Sequence, residues 1–73
     1  MLSTQEQRAL RLWFQQPKKH NVAREMAISV ETVDQYISRA RVKYAAMGRP
    51  APNKAAMVAR AIEDGLIRPE DVR

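Results

Sequence analysis

Three features of the 73-residue sequence predict an all-α fold. Apolar residues recur at spacings of three and four in four separate stretches, the period of a helix with one buried face. Ser3, Ser29 and Asn53, good helix-starting residues, stand just ahead of three of those stretches. Pro17, the segment Gly48-Arg49-Pro50-Ala51-Pro52 and Gly65 interrupt the chain where the periodic stretches stop. The expected architecture is one four-helix domain over residues 1–73, with a linker at 48–52 and a tail at 68–73.

The first helix begins at Leu2-Ser3-Thr4-Gln5-Glu6. Ser3 and Glu6 form a capping box, in which each side chain accepts from the other residue's amide. Ala9, Leu10, Trp13 and Phe14 make its buried stripe, with Leu12 at the edge, and Pro17 ends it because proline restricts Gln16 and donates no hydrogen bond. The spacing of Trp13 to Leu10 and Phe14 argues for packing over base stacking. A second helix is expected from about Lys19 to Met26, with Val22, Ala23 and Met26 on its apolar side and a poorly capped start. Lys18 and Lys19 read either as solvated loop lysines or as phosphate contacts.

Ile28 to Tyr44 is the third helix. Ser29 caps it, Glu31 suits the positive end of its dipole, and Val33, Ile37, Ala40 and Tyr44 form one apolar stripe. At about 100° per residue the opposite face carries Glu31, Gln35, Ser38 and Val42. Asp34 and Arg41 flank that face on one side, Thr32 and Arg39 on the other. Only about three residues around Ala27 separate helices two and three, the spacing of a helix-turn-helix whose second helix enters the DNA major groove. A short polar face with hydroxyl, amide and guanidinium groups suits that groove, and it equally suits an ordinary amphipathic surface helix.

Asn53 caps the fourth helix. Ala55, Val58, Ala59 and Ile62 give it a narrow apolar face that Met57 and Ala61 widen, and Gly65 stops it with Leu66 and Ile67 folding back. This helix either closes the core or also pairs with a second copy. Residues 68–73 read as a solvated tail.

Composition narrows the chemistry. A chain this short is expected to bury only about 60% of its unfolded surface. It has no cysteine and one histidine, His20, so disulfides, a metal site, a cofactor site and a catalytic dyad are not expected, and the chain is not read as an enzyme. No apolar run approaches the roughly 20 residues of a membrane span, and the start lacks a signal-peptide pattern, so a soluble, cytoplasmic protein is expected. The net charge of +5 is uneven: Arg39, Arg41, Lys43, Arg49, Lys54 and Arg60 follow one another without an acid, and Glu63, Asp64, Glu70 and Asp71 follow them. A basic segment beside an acidic end fits a polyanion partner over part of the surface.

These residues resemble a known family. Leu2-Ser3-x-x-Glu6 with Leu10-x-Leu12, then Val22-Ala23-x-x-Met26-x-Ile28-Ser29-x-x-Thr32-Val33, then Ile37-Ser38-Arg39 and Lys43, and finally Ala59-x-x-Ile62-x-x-Gly65-Leu66-Ile67 are similar to the LuxR/FixJ-type helix-turn-helix domain of bacterial transcriptional regulators. The resemblance implies a four-helix bundle whose third helix reads double-stranded DNA and whose fourth pairs two subunits on a two-fold site. By position it implies phosphate contacts from Thr32 and Arg39, with Lys43 further along the backbone, and base-reading positions at Asp34, Gln35 and Ser38. Arg41 joins this DNA-binding set from its place beside the polar face. Ala55, Val58, Ala59 and Ile62 would form the dimer interface.

Three departures stand out. Asp34 occupies a position where the family commonly has lysine, and a carboxylate accepts from cytosine N4 and repels phosphate. The link from Tyr44 to Lys54 is longer than usual by about one helical turn. Lys18 replaces the usual small residue capping the second helix. The expected function is a sequence-specific regulator acting as a homodimer, freestanding or as the output domain of a response regulator. The competing reading is a sigma-factor-like promoter-reading module acting mainly through RNA polymerase.

Overall fold

Side-chain caps and turn geometry set the helix ends. In a computed structural model describing residues 1–72, the chain forms α1 (Thr4–Gln15), α2 (Lys19–Met26), α3 (Val30–Ala46), α4 (Lys54–Glu63) and a 3-10 turn, Pro69–Asp71. Helices are the only regular elements among the described residues. The Ser3–Glu6 capping box is complete: the Glu6 amide donates to Ser3 Oγ at 3.2 Å and the Ser3 amide to Glu6 Oε1 at 2.9 Å. Gln16 turns extended ahead of Pro17, as the proline requires. Ser29 and Asn53 cap α3 and α4 by accepting from the Thr32 and Ala56 amides. Lys18 heads α2 with no side-chain cap.

Helices α2, α3 and α4 end in the same way. A left-handed residue lets the next amide reach back over the last turn: Ile28 to the Ala23 carbonyl at 3.0 Å, Arg49 to Tyr44 at 2.9 Å and Leu66 to Ala61 at 2.9 Å. At α3 and α4 that residue is Gly48 or Gly65, both at φ 72°. At α2 it is Ala27, at φ 57°, where a Cβ meets the adjacent carbonyl.

Helix α3 packs on both α1 and α2, which also touch each other. Leu10, Phe14, Val22, Val33, Ala40, Tyr44, Met57 and Ala61 are fully buried, and Ile37 and Trp13 nearly so. Each large side chain in this set contributes about 1.5–3 kcal/mol by leaving water. At about 1.5 Å per residue, the 17-residue α3 runs most of the length of a molecule measuring 31 × 26 × 19 Å.

Two expectations change. The core side of α4 is centred on Met57 and Ala61, while Ala55 and Ala59 are exposed and Val58 and Ile62 half-buried. Apolar residues run so far round this helix that their pattern leaves open which edge faces inward. The C-terminal segment is exposed over residues 68–71, as its composition suggests, but it is more ordered in shape than a plain tail. Pro69 starts a 3-10 turn and Val72 packs against the core, while Arg73 lies outside the described residues. The linker is non-helical as expected, yet Ala51, between its two prolines, is buried.

Candidate nucleic-acid interface

The α3 backbone starts where Ser29 takes up the Thr32 amide at 3.1 Å, and this fixes which side chains turn outward. Glu31, Gln35, Ser38 and Val42 are all exposed, the face opposite the Val33–Tyr44 stripe. Val42 is an apolar side chain left 68% exposed in the middle of this polar surface.

The residues expected to touch DNA divide into three groups. Gln35, Ser38 and Arg39 stand exposed, and Arg39 pairs with no acid among the described residues. Thr32 and Arg41 are half-buried. The Thr32 hydroxyl lies 2.9 Å from Ser29 Oγ, inside the cap, and Arg41 Nε is enclosed without a hydrogen-bond partner among the described residues. Asp34 and Lys43 carry charges already matched within the chain. Asp34 Oδ1 lies 2.7 Å from Lys19 Nζ, and Lys43 Nζ donates to Glu6 Oε1 at 2.7 Å.

The Glu6–Lys43 pair joins the start of α1 to the end of α3. Burial by itself would push the Glu6 carboxyl up. The Lys43 ammonium, the Ser3 amide and the Ser3 hydroxyl outweigh burial and hold it below the ordinary 4.5. Lys43 therefore faces two ways, with part of its side chain in water and its charge on a buried carboxylate.

A second cationic cluster was not legible in the sequence. Lys54 Nζ sits 4.8 Å from the centre of the Trp13 ring, and Lys19 Nζ sits 5.6 Å from the same centre. Burial lowers the Lys54 pKa, and the nearby Lys19 charge lowers it further. Trp13 is only 8% exposed, so the indole belongs to the core while two ammonium groups lie within cation–π range of its ring. No local spacing links residues 13, 19 and 54; only the packing of α1, α2 and α4 does.

Away from α3's outward face, a groove of about 560 Å³ is lined by Leu2, Gln7, Arg11, Tyr44, Met47 and Leu66, among others. The Tyr44 hydroxyl is buried without a hydrogen bond to any group of the described residues. Burial raises its pKa, Asp64 adds to the rise and Arg49 opposes it, so the phenol stays neutral through physiological pH. Arg49 lies 5.7 Å over the Tyr44 ring and bridges Glu63 and Asp64, tying the proline linker to the end of α4. No group of three or more His, Cys, Asp or Glu side chains is placed to hold a metal among the described residues. None of the helices there is long and apolar enough to cross a membrane.

Comparison with protein-family models, with curated proteins and with solved structures finds no match for this chain.

Proposed function

We propose that this domain is a helix-turn-helix DNA-binding module with α3 as the recognition helix, in a transcriptional regulator of LuxR/FixJ type. The observation that carries the reading is the bare polar face of α3 behind a connection of only Ala27, Ile28 and Ser29. Gln35 and Ser38 offer amide and hydroxyl groups to base edges, and Arg39 offers to the adjacent phosphate a charge that pairs with no acid among the described residues. Affinity then comes mainly from phosphate neutralisation, and preference from the few groups near the bases. Asp34, at the edge of the same face, reads a base only when Lys19 releases it.

The far side of α4 supports pairing of two copies. At about 100° per residue, Ala55 and Ala59 face away from the core-facing Met57 and Ala61, and the half-buried Val58 and Ile62 run along one edge between the two sides. An apolar stripe with small residues lets a second helix approach closely. On this reading the domain binds two-fold sites as a homodimer, and sedimentation with and without a palindromic duplex tests that step.

Binding itself is tested by fluorescence anisotropy on duplex DNA across a salt series. The expected result is an affinity that falls steeply with salt. Replacing Arg39 with alanine should weaken binding to every sequence and lower the log–log salt slope by about 0.9, one phosphate contact. No binding to any duplex at low salt would sink the assignment.

A further inference from the structure

Lys19 and Lys54 bring two positive charges to one aromatic ring, and among the described residues a single carboxylate, Asp34, lies within ion-pair distance of either. Among the described residues Lys54 makes no ion pair, although burial and its like-charged neighbour both disfavour its ammonium form. The cluster therefore carries a surplus of positive charge held in place by the Trp13 ring. It also lies beside the outward face of α3, because Lys19 reaches Asp34 on the edge of that face.

We infer that Lys19, Lys54 and the Trp13 ring form a phosphate-binding site in which the Asp34 carboxylate occupies part of the position of a phosphate oxygen. A carboxylate oxygen 2.7 Å from Lys19 Nζ marks where an anionic oxygen is accepted. A phosphate has oxygens enough to face both lysines, whereas Asp34 is paired with only one. When phosphate enters, Lys19 exchanges one anion for another, Lys54 gains a counter-ion, and Asp34 is released toward the groove. There its carboxylate can accept from cytosine N4. Sequence reading would then be coupled to backbone contact: the carboxylate becomes available only once a phosphate is seated.

This inference rests on the DNA-binding reading for the source of the phosphate, and the test separates the two. Trp13 is the chain's single tryptophan, so its indole N–H gives one resonance that reports on the site. The full chain is titrated with duplex DNA, and separately with inorganic phosphate against sodium chloride of equal ionic strength. A duplex-induced shift of that resonance is expected. In Lys54→Gln the salt slope should fall by about 0.9 and binding near 0.1 M salt should weaken roughly fivefold. Lys54→Arg should keep the wild-type slope, and unchanged melting curves show that both variants remain folded. In the phosphate arm, Asp34→Asn is expected to bind a few-fold more tightly because the resident anion is gone; weaker binding would overturn the exchange. A Trp13 shift with inorganic phosphate, together with no binding to any duplex at low salt, supports the anion site and sinks the DNA reading. Duplex binding with an unmoved Trp13 resonance and an unchanged Lys54→Gln slope overturns the site and leaves the DNA reading standing. A resonance unmoved by either ligand overturns the site as well.

Discussion

Two ion pairs anchor on α3, and both have a nitrogen–oxygen distance of 2.7 Å. Lys19–Asp34 at the start of the helix leaves 40% and 50% of the two side chains exposed, whereas in Lys43–Glu6 the carboxylate side is only 4% exposed. Equal lengths therefore describe unequal interactions. An exposed pair exchanges one hydrated state for another and contributes about 0–1 kcal/mol. A carboxylate taken out of water must have its charge answered locally, so losing its partner costs much more than the pair contributes. The difference sets two kinds of contact on one helix: the buried pair fixes where α3 lies on α1, and the exposed pair is loose enough to open, as the proposed phosphate exchange requires.

The largest expected effect comes from breaking the buried pair. Glu6→Gln keeps an oxygen for the Ser3 amide but removes the charge that Lys43 answers. A loss of about 2 kcal/mol is expected, less than for a fully buried pair because Lys43 can turn to water. For a domain of this size that is a fall in Tm of roughly 8–16 °C by calorimetry. The pH dependence sharpens the point. The Glu6 carboxyl is held below 4.5 in the folded chain, so its contribution is present above that value and is lost as pH falls through the folded-state pKa. Glu63 is held low too, by Arg49 and Arg60, which is why the wild type must be compared with the variant and not read alone. The stability gap between wild type and Glu6→Gln should narrow from pH 7 to pH 3; a constant gap would mean that packing, not charge, is at work.

Glu6 also shows how much of the molecule could be read in advance. Its role in the capping box is a matter of three-residue spacing and was legible, as were the caps at Ser29 and Asn53, the breaks at Pro17 and Gly65, and the outward set Glu31, Gln35, Ser38 and Val42. Its bond to Lys43 spans 37 positions and was not, since no local period relates the two. The same reason hid the Lys19–Asp34 contact and the meeting of Lys54 with Trp13. It also made Lys43 and Asp34 look like unencumbered DNA contacts. In α4 the difficulty was ambiguity: with apolar groups on both sides, the helix pattern could not choose Met57 and Ala61 as the inner edge.

A middle-sized effect calibrates the two pairs against something purely local. Ala27 holds the left-handed position that Gly48 and Gly65 hold at the other helix ends, and it lies in the connection whose geometry sets α2 against α3. Replacing it with glycine removes the Cβ clash but loosens the unfolded chain. The first term is about 1–2 kcal/mol and the second about 0.5–1 kcal/mol. The expected net is a gain of roughly 0.5–1 kcal/mol by urea denaturation, with no change in m. A loss would show that the backbone at Ala27 is relaxed, and that the three similar helix ends are not energetically alike.

The smallest expected effect belongs to the exposed pair. A double-mutant cycle on Lys19→Met and Asp34→Asn isolates the interaction from whatever each side chain does alone. The coupling should be below about 0.5 kcal/mol at low salt and should fade in 0.5 M sodium chloride, where screening reaches only about 4 Å. This small number decides more than its size suggests. A carboxylate held by a few tenths of a kcal/mol is readily exchanged for a phosphate, which carries more charge and faces Lys54 as well. If the cycle instead returned 2 kcal/mol or more, the range of a pair with a desolvated partner, Asp34 would be a fixed part of the fold. The functional contrast between the two ends of α3 would then disappear, and Lys19 would have no charge to offer DNA.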